Sequence, residues 1–395
     1  MTPLKGIKVL DMSRAIAGPL CSQILADLGA EVIKVESPGL GDETRGWPPF
    51  KAEQMGAVFL SVNRNKRSIV IDLKAPEGRA LLHRMALQAD VAIESFNTGV
   101  AERLGIDAAT LCGLNDRLVH CSISGFGRTG PLSTAPGYDV VLQAFCGIMG
   151  LTGEEGGGHI RSPISPIDQM TSSHAAIGIM AALMERAQTG KGGTVQASLY
   201  DTAMAFQRYN LQMYWIDGKL QPRCGSGHES LCPYQAFEAS DGPILIGVAN
   251  DKLWRKFCAI AGLGDMADHP KYRNNAGRSR HRAEVVSRVQ NVVATQTVDH
   301  WYARLAEAGI PCSPINRLDQ LLDHPHTRAT GIVVDYEHDQ VGAIKGVAQP
   351  FILNGQPRKG GTPPPLHGEH TQEILEEFGL TAAEIEALAV ANVTV

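Results

Sequence analysis

Between residues 7 and 123, short apolar runs alternate with stretches of helical spacing. This rhythm constrains the fold more than any other feature of the chain. Ile7–Leu10, Glu31–Val35, Ser68–Leu73, Asp90–Ile93 and Leu118–Ile123 read as strands. Pro19–Gly29 and Pro76–Gln88 read as helices between them; glycine closes the first, and proline suits the first turn of the second. Alternating strands and helices imply a mainly parallel sheet with helices on both faces. The expected class is α/β, with a large Rossmann-like parallel-sheet domain and a smaller α/β domain.

The remainder of the chain adds a long helix, the smaller second unit and a return to the large domain. Residues 169–187 form the clearest helix, with Ala176, Ile179, Met180, Leu183 and Met184 as one apolar stripe. Residues 218–230 look like a crossover. A second unit then opens with a strand pair, Tyr234–Ala239 and Ile244–Val248, joined through Asp241-Gly242. Residues 330–355 return to strand character, and a Gly/Pro-rich segment, 355–365, precedes the last helices.

Composition excludes several function classes. Of the 395 residues, 44% are hydrophobic and 19% charged, which suits a folded globular enzyme. The net charge of −5 gives no basic field for nucleic acid. No apolar run is long enough to span a bilayer, and residues 1–14 have no secretory h-region. The expectation is a cytoplasmic or mitochondrial-matrix protein with no membrane and no nucleic-acid partner. None of the eight cysteines forms a C-x-x-C pair, so they read as reduced thiols. The histidines are scattered, no metal-ligand spacing occurs, and no metal is expected.

Several local patterns carry candidate chemistry. Gly125-Phe-Gly-Arg-Thr-Gly130 matches a dinucleotide fingerprint, but Pro131 and Pro136 oppose the helix that must open there. Thr189-Gly-Lys-Gly-Gly193 reads better as a helix C-cap than as a phosphate loop. Asn65-Lys66-Arg67 is a compact basic patch of the kind that suits phosphate. Asp168 follows two prolines just before the 169–187 helix. It reads as an N-cap or as a functional carboxylate whose ionised form the helix-end amides favour. Gly225-Ser226-Gly227-His228 reads as a hinge, or as a mobile loop whose backbone N–H groups approach a reacting acyl group.

In order and spacing, a set of segments resembles the class III CoA-transferases of the formyl-CoA and carnitine type. They are Leu4–Asp11, Ala17-Gly-Pro19, Leu28–Glu36, Gly41–Trp47, Asn65–Ser68, Gly125-Phe-Gly127, Thr189–Gly192, Pro233–Phe237 and Pro365–Thr371. The resemblance implies an acyl-CoA:carboxylate CoA-transferase with Asp168 as the catalytic residue. Asp168 would pass through aspartyl anhydride and aspartyl-CoA intermediates. The substrates would be an acyl-CoA and a carboxylic acid, with coenzyme A as substrate and no covalently bound cofactor. The implied CoA contacts are Ile16, Ala17, Ile71, Asp72, Leu73, Lys74, Ser95, Phe96, Asn97, Arg103, Pro136, Gly137 and Tyr138. The implied oxyanion loop is Gly225, Ser226, Gly227 and His228.

The resemblance also implies an interlocked homodimer. It places residues 1–220 and 330–395 in a large CoA-binding domain and 221–329 in a small one with its linkers. Formyl-CoA transferases carry glutamine where this chain has Ile16, and consecutive glycines where it has Gly-Ser-Gly-His. The loss of that glutamine points away from formyl-CoA/oxalate exchange, and the Gly-Ser-Gly-His loop and Gly46-Trp-Pro-Pro-Phe50 look closer to members using dicarboxylic acids such as succinate, glutarate, malate or mesaconate. The same resemblance extends to α-methylacyl-CoA racemases, but their histidine base falls at Tyr138, and tyrosine is a poor base near neutral pH. An inactive CoA-binding protein is the third alternative.

Overall fold

Five of the strands expected from the sequence, and a sixth that the apolar pattern omits, pair into one parallel sheet. The structure, a computed structural model, describes residues 2–394. The strands are β1 (Lys8–Asp11), β2 (Glu31–Glu36), β3 (Lys66–Val70), β4 (Val91–Glu94), β5 (Val119–Ser124) and β6 (Gly193–Ser198). Their spatial order is β3-β2-β1-β4-β5-β6, and each neighbouring pair is parallel. The order reverses between β1 and β4. In such sheets the crevice beyond the carboxyl ends at this switch point is where ligands bind.

Successive strand residues face opposite sides of the sheet. Leu10, Ile33, Ile69 and Ala92 join one buried cluster with Leu81, Leu82, Met85, Ile374, Leu375 and Phe378. Helices Pro76–Ala86 and Thr371–Glu377 supply that layer. The alternate residues Val9, Val32, Val91 and Cys121 are equally buried on the other face. There the helices Ala17–Asp27 and Pro166–Thr189 pack against each other and the sheet. Burial on both faces gives β1–β5 short apolar stretches, such as Val91–Ile93, that make them legible. β6 is an edge strand of half-buried and exposed residues beginning in glycine, so it lacks that signal.

The apolar stripe on the long helix is only partly covered. Ala176 and Ile179 are buried, but Met184 is 70% exposed and its neighbour Ile177 is 59% exposed. The glycine cap is as read: Gly190 has φ of 77° and donates to the Arg186 carbonyl.

The chain divides into two compact units. The first comprises residues up to 146, 162–208 and those from 325 onward; the second comprises 147–161 and 209–324. Residues 147–161 and 209–220 thus pack with the second unit, whereas the sequence reading groups them with the first. The second unit has an antiparallel sheet of β7 (Tyr234–Ala239), β8 (Gly242–Gly247) and β9 (Cys312–Pro314). Trp254, Phe257, Val285, Val289, Trp301 and Leu305 form its core. In the first unit, β10 (Val333–His338) and β11 (Gly342–Val347) make an antiparallel pair. Among the described residues, no helix is long and apolar enough to cross a membrane, and all eight cysteines are free thiols.

Candidate active site

The carboxyl ends of β1 and β2 are held by buried charges, with Lys66 reaching in from the start of β3. Asp11 accepts from Lys66 Nζ at 3.0 Å, Ser22 Oγ at 2.5 Å and the Ser13 amide at 3.0 Å. Lys34 Nζ reaches Asp42 at 2.9 Å and the Ser13 carbonyl at 3.1 Å. Glu36 receives Arg45 in a fork, at 2.8 and 2.7 Å. Burial alone would raise the Asp11 carboxyl, but Lys66 and Lys34 hold it well below its ordinary range. These pairs fix two loops, 12–16 and 37–47, above the sheet. They also overturn the phosphate reading of Asn65-Lys66-Arg67. Lys66 is buried against Asp11, and Arg67 is bound to Glu31, Glu373 and Glu377.

Two cavities open along this edge of the first unit. One, of about 370 Å³, is lined by Lys34–Ser37, Ile71, Asp72, Leu73, Lys74, Phe96, Val100 and Arg103. The other, of about 290 Å³, is lined by Ile16, Ala17, Trp47, Ser95, Phe96, Asn97, Pro136, Gly137, Tyr138 and Asp168. Arg14 and Phe96 belong to both walls. The site residues expected from the sequence in the first unit are therefore gathered on two adjoining cavities at the switch point.

Asp168 is not the N-cap. The helix begins at Pro166, after Ser165, which makes no side-chain cap. The cap comes from 29 residues upstream: Asp139 Oδ2 accepts from the amides of Ile167 at 2.8 Å and Asp168 at 3.2 Å. Gln143 anchors this arrangement, donating to Asp139 Oδ1 at 2.5 Å and the Ser162 carbonyl at 3.1 Å. The carboxyl of Asp168 is left half-buried. Among the described residues it has no hydrogen bond or ion pair.

The amides therefore do not favour its ionised form. Burial, and then the Asp139 carboxylate, push Asp168 up from 3.8 to about 7. A carboxyl so placed is mostly in its nucleophilic, ionised form only above that pH. If it attacks in that form, kcat/KM for an acyl-CoA rises with pH through an inflection near 7, and Asp139→Asn moves the inflection to lower pH. A pH–rate profile of both proteins checks this.

The Gly125–Gly130 pattern has a different use from the one its spacing suggests. A Cβ on Gly125 would stand 2.7 Å from Gly137 Cα, and one on Gly137 would stand 2.6 Å from Gly125 Cα. Two bare backbones must touch here to bring residues 136–138 against the end of β5. Gly137→Ala is expected to push this wall of the cavity away, raising KM for acyl-CoA about tenfold and destabilising the fold by about 1–3 kcal/mol. Steady-state kinetics and thermal unfolding read both effects.

Gly225–His228 lies in the second unit, and neither cavity includes it. Three of its four amides are occupied: Gly225 donates to the Gly153 carbonyl at 2.9 Å, Gly227 to the Cys224 carbonyl at 2.7 Å and His228 to the Tyr234 carbonyl at 3.0 Å. Ser226 Oγ accepts from the Ala236 amide at 3.1 Å. Gly225 has φ of 58°, and a Cβ there would collide with the Glu154 carboxylate at 2.2 Å. Glycine is favoured at this left-handed position, and a Cβ would require the Glu154 side chain to swing aside.

Sequence reasoning missed Arg14 and Asp139. Arg14 had one available signal, its position just beyond the carboxyl end of β1. Asp139 had none, since its role depends on contact across 29 residues. Among the described residues, no group of three His, Cys, Asp or Glu is placed to hold a metal.

Comparison with known proteins adds four findings. The model of CoA-transferase family III matches residues 4–371. A succinate–glutarate CoA-transferase of Agrobacterium fabrum is 37% identical, over 95% of this chain and 96% of that protein. An acyl-CoA transferase of Fusarium pseudograminearum is 39% identical, over 97% of this chain and 86% of that one. Among solved structures, a CaiB/BaiF family protein from Brucella suis superposes with a TM-score of 0.85 at 35% identity, covering 95% of this chain and 99% of that one.

Proposed function

The chain belongs to CoA-transferase family III and moves CoA between carboxylic acids; on that premise we propose that its acids are dicarboxylates and that Asp168 carries the acyl group. The observation behind this reading is the unpartnered carboxyl of Asp168 on the wall of a cavity at the sheet's switch point. The dicarboxylate choice is supported by the succinate–glutarate relative and by the likeness of Gly225–His228 and Gly46–Phe50 to dicarboxylate-using members, while Ile16 in place of glutamine argues against formyl-CoA/oxalate exchange. A racemase is not favoured: the exposed Tyr138 occupies the position of the histidine base.

The CoA substrate fits the pair of cavities by its chemistry. Lys74 and Arg103 in the larger one suit phosphates, and Phe96 suits stacking. The thioester then lies in the smaller cavity beside Asp168. The Asp168 carboxylate attacks the thioester carbonyl, the C–S bond breaks, and an acyl-aspartyl anhydride and CoA thiolate form. The thiolate attacks the aspartyl carbonyl; the donor acid leaves and an aspartyl-CoA thioester remains. The acceptor carboxylate attacks this thioester and expels the thiolate. The thiolate then takes the acceptor acyl group from the new anhydride, restoring the carboxylate. Each step exchanges one activated acyl bond for another, so nucleophilic catalysis needs no external energy source.

The oxyanions formed need N–H donors. We assign that role to Gly225–Gly227, whose amides must first release the Gly153 and Cys224 carbonyls. An interlocked homodimer fits the exposed apolar side chains. Met184 and Ile177 in the first unit, and Trp215, Ile216 and Leu220 in the second, are each more than half exposed. Light scattering tests this: a monomer contradicts it. Eight free thiols suit a reducing compartment such as the cytoplasm.

The function is tested by an exchange screen read by mass spectrometry. Succinyl-CoA, acetyl-CoA and other acyl-CoAs are each offered mono- and dicarboxylic acids. New acyl-CoA species with dicarboxylic acids support the reading. Deuterium uptake alpha to a methyl-branched thioester, without exchange, overturns it.

A further inference from the structure

The smaller cavity holds charges of both signs, and one cation there is uncommitted. Arg128 is spent: it reaches Glu94 at 2.6 Å, Ser122 Oγ at 2.7 Å and the Phe96 carbonyl at 2.8 Å. Arg14 is exposed, and among the described residues its guanidinium has no ion pair or hydrogen bond. It lies over the Phe96 ring, 4.8 Å from the centroid. That contact attracts the guanidinium to the ring without using its donors.

Its backbone is fixed as well. The Arg14 amide donates to Ser95 Oγ at 2.9 Å, which ties the end of β1 to the end of β4. The next residue, Ala15, sits at φ 67°, a conformation rare for alanine, and its amide points to Asp42 at 3.3 Å. A free guanidinium thus stands on a rigid turn, in the cavity that contains Asp168. The same wall carries apolar Ile16 and Trp47, suited to a short methylene chain. Glu43 also faces this cavity and repels anions, so Arg14 is the group placed to attract one.

We propose that Arg14 reads the far carboxylate of a dicarboxylic acid while the near carboxylate reacts at Asp168. The proposal rests on the dicarboxylate reading above and assigns it to one residue. Guanidinium matches a carboxylate with two parallel N–H donors, a geometry that ammonium cannot reproduce. The competing role is a CoA phosphate contact, since Arg14 also borders the larger cavity.

The test compares wild type, Arg14→Gln and Arg14→Lys. Each receives acetyl-CoA, a donor whose acyl group has no second carboxylate, and two acceptors of equal length, glutarate and valerate. Thermal unfolding establishes that the variants fold. In wild type, kcat/KM favours glutarate. In Arg14→Gln that preference is expected to fall about 30- to 100-fold, with Arg14→Lys between the two. KM for the acyl-CoA should move little. A preference kept in Arg14→Gln overturns the proposal. So does an equal loss for both acceptors with a raised acyl-CoA KM, which would place Arg14 on CoA. If wild type itself does not prefer glutarate, the dicarboxylate reading fails, and that result is separable from the other two.

Discussion

Asp168→Asn is expected to abolish CoA transfer and, at pH 8, to make the protein more stable. The amide keeps the size of the carboxyl but cannot form the anhydride, so activity should fall at least about 1,000-fold. The stability gain follows from the position of the carboxyl. It is half-buried beside Asp139 and titrates at about 7 rather than 3.8. The folded state therefore holds a proton that the unfolded state releases between those values. Stability is withdrawn as pH rises through that window, by up to about 4 kcal/mol at full ionisation, less whatever water screens at the exposed oxygen. The neutral amide escapes this penalty. The variant's thermal midpoint should lie several degrees above wild type at pH 8, with the gap closing as pH falls toward 4. Thermal unfolding across this range measures it. An activity loss without the pH-dependent gain would mean that Asp168 is ionised without penalty.

The second large effect concerns the Glu36–Arg45 pair. Both side chains are nearly free of solvent, and the guanidinium also reaches the Pro365 carbonyl at 3.1 Å and covers Phe59 at 3.7 Å. Arg45→Met leaves a buried carboxylate unpaired and should destabilise the protein by about 3–5 kcal/mol. Arg45→Lys should restore little of this, because it cannot form the fork. The double variant Glu36→Leu with Arg45→Met should lose less than the sum of the single variants, since no charge remains stranded.

The pair has a pH signature too. Burial would raise Glu36, but Arg45, in hydrogen bond and charge, brings it down to about 2 from 4.5. Its contribution is complete above about 4.5 and is lost as pH falls toward 2, worth about 3 kcal/mol. Denaturant unfolding from pH 7 to pH 3 resolves it. Glu36 also accepts the Asp42 amide at 3.0 Å, so the loop carrying Glu43 and Trp47 into the cavity should loosen with it.

How much of this was visible in the chain depends on the range of each interaction. β1–β5 are legible because burial on both faces favours clustered apolar residues, unbroken in Val91–Ile93 and interrupted by Lys34 in β2. β6 escapes because an edge strand has no such requirement. The order of the strands depends on pairing between distant segments, which no local pattern encodes. Asp168 was legible as a residue of interest from the prolines before it and the helix after it. Its protonation state was not, because Asp139 rather than Asp168 caps the helix. Lys66 shows the same limit: an Asn-Lys-Arg run looks like surface charge until Asp11 is placed beneath it.

The measurement that bears most directly on the central claim is chemical trapping of the acyl-enzyme. Wild type is mixed with succinyl-CoA, quenched with hydroxylamine, digested, and the peptide spanning residues 162–186 is analysed by mass spectrometry. An aspartyl hydroxamate at Asp168, formed only with acyl-CoA present, is the predicted result. Turnover of the same sample with no modification at Asp168, or with the modification on another carboxylate, would contradict it.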